Sequence, residues 1–429
     1  MKDQAIVGKA KPHVLILGCN FAGLTAARLI REECKDNVDI TVVDRKPYLV
    51  FVPNIPLEVL SNHDPISKLH MNFYPFLVKD KSVFLQAEVK EIDVDGKQVT
   101  IVPSERPGAA SEKLQYDYLV IALGAKLDYE AIPGFGEYGS TVSDTYYGNK
   151  LRRYLFEGHY KGGPIAIGSC AAKIDLNGKP DWMKGMDTYC DGPPLEVSLS
   201  LSTLLSDKKW GTPKNITLFT PGEVIASDAG IPLAKEFLHM TVDGMGMGYK
   251  NNVGDVKELT KDGIVFANGD SMEAEIKIVM PNWTPHTLMK GLSICDSLGY
   301  VNTDAYMRNP DHPEILCVGD SNGLTAPKLG AFGDMQARVA AKQIAKDLGL
   351  IAAIEAVEFK PVVMCFGDAG DGKGFYIHSD LAFGGKMGIM KMGRLYYDMK
   401  LAFKEMYFMT GGRPPAWGME LSELVTDKI

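Results

Sequence analysis

Residues 13–23 read HVLILGCNFAG, and everything else in the fold follows from how this stretch is read. His13 to Leu17 has the apolar run of a short buried strand, and Gly18-Cys19-Asn20-Phe21-Ala22-Gly23 punctuates it with a turn. Ala22 to Glu33 then carries a helical pattern, and Val38 to Val43 (VDITVV) is a second apolar strand. Strand, turn, helix and strand in this order form a βαβ unit. Gly18 lets the chain turn sharply, Gly23 lets the helix close on the strand, and the free amides of the helix start attract a pyrophosphate. Asn20 stands where the middle glycine of a dinucleotide fingerprint belongs, so the pattern is degenerate. Asp44 ends the second strand, where a carboxylate would accept from ribose hydroxyls. An ordinary βα turn with a surface aspartate is the competing reading.

Outward from this unit, strands are expected at Val83–Val89, Gln98–Val102 and Tyr118–Leu123. A second α/β segment opens at Pro164 (PIAIG), passes through a helix after Pro194 and returns as a strand at Ile216–Thr220. Further strands are expected at Val256–Thr260, Gly263–Ala267, Ile276–Met280 and Glu314–Val318, and a helix over Ala331–Leu348. The fold class is therefore α/β: two Rossmann-like lobes and a C-terminal, membrane-associating helical appendage. The first lobe takes residues 1–158 and 281–348, the second 159–280, and the appendage 349–429.

The chain has 429 residues, too many for one ordinary core, with 45% hydrophobic and 23% charged residues. A formal charge of −8 argues against nucleic acid as a partner. No run of about 20 apolar residues is long enough to cross a bilayer, and the N-terminal MKDQAIVGKAKPH is too polar for a signal peptide. Seven cysteines, widely spread and odd in number, do not suit a secreted disulfide scaffold. The eight histidines show no H-E-x-x-H, so no metal is expected, and no G-x-S-x-G marks a serine hydrolase.

Two later segments sharpen the nucleotide reading. Tyr116–Gly124 is a strand ending in a small-residue turn at Ala122 and Gly124. Cys317-Val318-Gly319-Asp320 ends another strand, followed by Pro327-Lys328-Leu329-Gly330 and a long helix. In this order and spacing, the set resembles the two-dinucleotide-binding flavoprotein superfamily. The resemblance implies that Gly18, Asn20, Phe21, Ala22, Gly23, Asp44 and Arg45 hold the ADP part of FAD, with Ala122 and Gly124 beside them. It also implies that Gly319 and Asp320 hold the ribityl chain, and that the helix after Lys328 and Leu329 points its positive end at the flavin. In the second lobe Gly168-Ser169-Cys170-Ala171-Ala172-Lys173 has no G-x-G-x-x-G, so NAD binding is expected to be lost there.

Cys190, in DTYCDGPPLE, stands just ahead of an apolar helix, where a thiol pKa is expected to fall. Cys365, in VVMCFGD, lies between a strand and a glycine-rich hairpin. Taken singly, either is as well read as an incidental buried thiol. Cys170 reads as strand-end packing, with a reactive thiol as its alternative. The blocks DYLVIALGAKL, CDGPPLEVSLSL, APKLGAFGDMQARVAAKQI and CFGDAGDGKGF resemble sulfide:quinone oxidoreductase, especially archaeal forms, over nearly the whole chain. The resemblance implies two cysteines beside FAD, by position Cys190 and Cys365, bridged through sulfur. Sulfide attacks the bridge, two electrons pass to FAD, and quinone removes them while a polysulfide grows. Many members carry a third cysteine; Ser143 stands at that position here, so non-covalent FAD and a two-cysteine cycle are expected. Pro53, in Phe51-Val52-Pro53-Asn54, matches the segment beside the isoalloxazine. Glu196 is a candidate proton relay, or else a helix-dipole partner.

Residues 384–413 hold six basic and two acidic residues, and six of the 20 methionines fall between 387 and 409. On a helical wheel Leu395, Met399, Ala402, Phe403, Met406 and Met409 share one face, with Tyr397, Leu401 and Phe408 almost opposite. One stripe packs on the protein; the other is expected on lipid, with Lys400 and Lys404 meeting headgroups. A core helix or a dimer interface is the alternative. Phe366, Phe375, Phe383 and Lys328 are the candidates for a quinone slot. The expectation is a peripheral, monotopic membrane flavoenzyme without a signal peptide, its membrane face and any homo-oligomeric state left open. Its rivals are a type II NADH:quinone oxidoreductase and a flavin-binding docking protein.

Overall fold

The computed structural model describes residues 11–413. Residues 1–10 of the polar N-terminal stretch read against a signal peptide and residues 414–429 of the 349–429 appendage lie outside the described residues. The chain opens with β1 (His13–Leu17), α1 (Phe21–Cys34) and β2 (Asp39–Asp44), then β3 (Val83–Asp93), β4 (Gln98–Pro103), β5 (Glu112–Gln115) and β6 (Tyr118–Ile121). Its middle supplies β7 (Gly139–Ser140), β8 (Ile165–Ser169), α2 (Gly192–Lys208), β9 (Ile216–Phe219), β10 (Gly248–Lys250) and β11 (Ile276–Met280). It continues through β12 (Ile315–Cys317), α3 (Gly330–Asp347), β13 (Val363–Gly370), β14 (Lys373–Ser379), β15 (Gly388–Gly393) and α4 (Arg394–Thr410).

Two sheets carry the Rossmann-like lobes. The first runs β12-β6-β1-β2-β3-β4-β5, parallel through its first five strands and antiparallel where the meander β3-β4-β5 joins. The second is parallel throughout, in the order β7-β11-β8-β9-β10. Both have strands buried on two faces, as a sheet covered by crossover helices must. β7 pairs with β11, so the second sheet recruits residues 139–140 from a segment that the sequence reading gave to the first lobe.

At the βαβ turn the two glycines have separate tasks. Gly18 sits at φ +94°, and a Cβ there would collide with the Ala122 carbonyl. A Cβ on Gly23 would collide with the Gly18 carbonyl, so the tight approach of helix to turn requires both. Asn20 caps α1, its side chain accepting the Phe21 amide. Small residues then let α1 lie close against α3: a Cβ on Gly333 would stand 3.0 Å from that of Ala22.

The C-terminal region differs from a purely helical appendage. Residues 363–393 form a three-stranded antiparallel sheet, β13-β14-β15, and the helix starts only at Arg394. The alternation of GFYIHS in β14, fully paired on both sides, outweighs helical propensity in the methionine-rich run 387–392, which becomes β15. The sheet places Cys365 within a strand, over α2, and hands the chain to α4.

Candidate active site

The nucleotide cradle gathers the residues the sequence named. Asp44, at the end of β2, accepts the Cys19 amide at 2.7 Å through one oxygen and the Lys46 amide at 3.0 Å through the other. Burial raises its pKa, those amides oppose the rise, and each oxygen keeps a lone pair for a further donor. Arg45 beside it is exposed. Gly124, at φ +70°, has no atom within 4 Å of where a Cβ would stand, so the turn after β6 opens onto free space. Gly319 follows β12 at φ +73°, and its amide donates to the buried Gln336 at 2.8 Å. Burial raises the Asp320 carboxyl as well, and the Lys328 ammonium opposes it. Leu329 caps α3 with extended backbone and leaves the helix's first amides facing outward from its start. The glycine turn, the two carboxyls, the open glycine and the free helix start offer donors, acceptors and space of the kind a dinucleotide needs.

Lys328 is not a free headgroup for a quinone. Its ammonium donates to the Asp320 carbonyl at 2.8 Å and lies over the rings of Tyr300 and Tyr189, 4.2 and 4.8 Å from their centroids. Burial lowers its pKa to about 8. Tyr189 precedes Cys190, and its carbonyl accepts the Lys328 amide, so the lysine clamps the cysteine loop onto the start of α3.

The two thiols converge. A Cβ on Gly192 would lie 3.4 Å from the Cys365 sulfur and 3.7 Å from that of Cys190, which holds the two sulfurs within about 7 Å of each other. Gly192 is the first residue of α2, and the absence of a side chain there leaves the space between them. The expected lowering of the Cys190 pKa is overturned. Burial, the carboxyl of Asp228 and the neighbouring Cys365 raise it well above the usual thiol value, against which the Gly192 amide is a small counterweight. Burial likewise pushes Cys365 up to about 12. Desolvation outweighs the helix end because that dipole carries only about half a charge. Cys170 is buried among Phe219, Val253 and Phe266, consistent with packing. The Ser143 hydroxyl accepts from Thr141 at 3.0 Å.

The second lobe has no phosphate turn. After β8 the chain makes an excursion through residues 170–191 before α2 begins, where a dinucleotide-binding unit would turn at once. The start of α2 is occupied by the buried Asp191 carboxylate, held by the Ser169 hydroxyl at 3.0 Å and the Ala226 amide at 2.9 Å. A second pyrophosphate would meet this carboxyl there.

Glu196 and Lys400 form a buried pair, with the ammonium 2.8 Å from one carboxylate oxygen and 2.9 Å from the other. Lys400 also donates to the Pro53 carbonyl at 3.0 Å and the Phe366 carbonyl at 3.4 Å, joining α2, α4, the Pro53 segment and the Cys365 strand. Burial still raises the Glu196 pKa, with Lys400 opposing. The expectation that Lys400 and Lys404 meet lipid headgroups is therefore wrong. Lys404 is bound to Glu58 at 3.1 Å, and both lysines face the protein because buried carboxylates there need counter-charges. The opposite face of α4 is the exposed one, where Leu395 (43% accessible) and Met409 (79%) stand beside the exposed Asp398 and Glu405.

The three candidate phenylalanines do not share one slot. In the β13–β14 register Phe366 pairs with Tyr376 and Gly367 with Phe375. The pleat sends these two pairs to opposite faces. Phe366 stacks on Tyr376 at 4.8 Å, next to Tyr396 of α4, whereas Phe375 lies over Gly367 on the face toward α2. Phe383 packs elsewhere, edge-on to Trp182 at 5.2 Å. A different aromatic group converges instead on Phe51 of the Pro53 segment, fully buried and within 6 Å of the rings of Phe21, Phe403, Tyr407 and Phe408. It seats α4 on the nucleotide turn. Among the described residues no cluster of three potential metal ligands occurs, and no helix is long and apolar enough to cross a membrane.

Comparison with known proteins places the chain among related oxidoreductases by sequence and fold. Residues 12–155 match the family described as pyridine nucleotide-disulphide oxidoreductase. The chain is 24% identical to the sulfide-quinone reductase of Aquifex aeolicus over 92% of its own length and 90% of that protein's. The crystal structure of the sulfide:quinone oxidoreductase from that bacterium superposes with a TM-score of 0.80 at 21% identity, covering 97% of this chain and 95% of the other. An NADH dehydrogenase-like protein of Mycobacterium tuberculosis is 26% identical over 72% of each chain. The structure of NDH2 from Plasmodium falciparum with NADH gives a TM-score of 0.67 at 14% identity, covering 94% and 98%. The fold is that of these α/β oxidoreductases.

Proposed function

We propose that this chain, which resembles sulfide-quinone reductase almost end to end, oxidises sulfide through Cys190 and Cys365 and delivers the electrons through non-covalent FAD to a membrane quinone. The observation that carries the reading is the convergence of two sulfurs, 175 positions apart in sequence, across Gly192. FAD, when bound, supplies the two-electron carrier between thiols and quinone. The protein's own groups do the rest. The oxidised pair offers a sulfur bridge; hydrosulfide attacks one sulfur, the bridge bond breaks, and the other cysteine leaves as thiolate. A cysteine persulfide and a thiolate result; once they give up two electrons to the carrier and close again as a bridge one sulfur longer, repetition lengthens the sulfur chain. Lys328 holds the loop that carries Cys190 in register. Glu196 with Lys400 moves a proton between the thiol strand and the Pro53 segment, where quinone reduction consumes protons. Leu395, Leu401 and Met409, exposed on α4 among charged neighbours, rest on the bilayer and give the lipophilic acceptor its entry.

The relatives include NADH dehydrogenase-like proteins, so nicotinamide oxidation is the second reading. Asp191 and the excursion before α2 count against it, because both occupy the place of the second pyrophosphate. Anaerobic titration of the purified flavoprotein decides: sulfide should bleach the flavin and decylubiquinone should restore it. Bleaching by NADH but not by sulfide would reverse the assignment. Flavin that neither reductant bleaches would indicate a docking protein.

A further inference from the structure

Two carboxyls beside the thiol pair have no part in the scheme above. Asp191 follows Cys190 directly and is 1% accessible; Asp228, 37 positions on, is 5% accessible. The Asp191 amide donates to an Asp228 oxygen at 3.4 Å, so the Asp228 carboxyl sits at the backbone of the Cys190 loop. Asp191 is fixed from two other elements, the Ser169 hydroxyl at the end of β8 and the Ala226 amide. Asp228 is the middle residue of a short 3-10 turn at Ser227–Ala229 that β14 braces, the Ser379 hydroxyl donating to the Ala229 carbonyl at 2.6 Å.

The ionisable groups that face this pair are Asp187 from the excursion, Tyr249 from β10, and the thiols Cys190 and Cys365 from the α2 start and β13. Lys400 acts on Cys365 but is already bound to Glu196. With two buried acids this close, the pair holds one negative charge more easily than two. We propose that Asp228 is the proton acceptor of the cysteine pair, with Asp191 setting its proton affinity.

The step is a proton transfer only. A persulfide S–H at Cys190 or Cys365 breaks, an O–H forms on Asp228, and the electron pair stays on sulfur as the persulfide anion that reduces the cofactor. The transfer moves one negative charge from oxygen to sulfur and leaves the total unchanged, which removes the repulsion that Asp228 otherwise exerts on a thiolate. Burial and Asp191 place Asp228 at about 7, so it can accept at neutral pH and release afterwards.

The inference rests on the cysteine-pair reading, and its test avoids sulfide and quinone. The holoenzyme is reduced with a phosphine, and alkylation of Cys190 and Cys365 by iodoacetamide is followed by mass spectrometry from pH 5 to 9. In the native protein both rates should rise through a midpoint near 7. In Asp228→Asn they should fall about tenfold at pH 8, and Asp228→Glu should recover most of the loss. A carboxylate that merely repels thiolate predicts the reverse: Asp228→Asn would alkylate faster, and that result, or an unchanged rate, overturns the proposal. Flavin absorbance checks that the variant folds; if it does not, Asp191→Asn serves. Relieved of its partner, Asp228 should then move the midpoint down by about one pH unit, and an unmoved midpoint would equally overturn the proposal. Failure of sulfide to bleach the flavin would defeat the functional reading while leaving this result standing.

Discussion

At the scale of single residues, the site depends on groups whose chemistry is set by burial. Replacing Cys190 or Cys365 by serine should lower sulfide-dependent flavin bleaching by at least about 100-fold, measured by stopped flow, while the flavin spectrum persists. Loss of flavin instead would make the thiols structural. Asp228 has its folded pKa raised from the usual carboxyl value to about 7. Its stabilising contribution is therefore complete below about pH 4 and lost as pH rises to 7. Asp228→Asn should gain on the native protein by several degrees in Tm across that window, and thermal melts at pH 4, 5.5 and 7 measure it. The Glu196–Lys400 pair follows from the same physics. Lys400→Met leaves a buried carboxylate alone and should cost about 3–5 kcal/mol in urea unfolding, whereas adding Glu196→Gln should restore much of it.

At the scale of elements, α4 is the one whose reading changed most. Its two apolar stripes and its lysines were legible, but which side faced the protein was not. Lys400 and Lys404 point inward because Glu196 and Glu58 wait there, contributed by segments some 200 and 350 positions away. With those lysines occupied, membrane association should depend on apolar area more than on headgroup charge. Leu395→Glu with Met409→Glu should release the protein from liposomes in a flotation assay, and raising salt to 0.5 M should have little effect on the native protein. β15 is the other lesson. It lies within the appendage expected to be helical, yet Gly388–Gly393 joins an antiparallel sheet because β14 offers an open edge for pairing.

At the scale of the whole molecule, two similar lobes carry different starts to their helices. The first lobe turns at Gly18 and enters α1 within four residues; the second wanders from 170 to 191 and begins α2 beside a buried carboxylate. NADH should therefore give no saturable quenching of tryptophan fluorescence, which Trp182 and Trp210 in the second lobe would report. Saturation in the micromolar range would show a working second nucleotide site.

By itself the sequence determined the βαβ unit, the order of the nucleotide motifs and the two cysteine blocks, because local periodicity and glycine sterics act over a few residues. Only the tertiary structure decided that Cys190 and Cys365 meet, that Lys400 serves Glu196 and not lipid, and that Asp191 and Asp228 stand together. It also decided the direction of the thiol pKa shifts, because desolvation is a property of everything packed around a group and has no signature in the residues beside it.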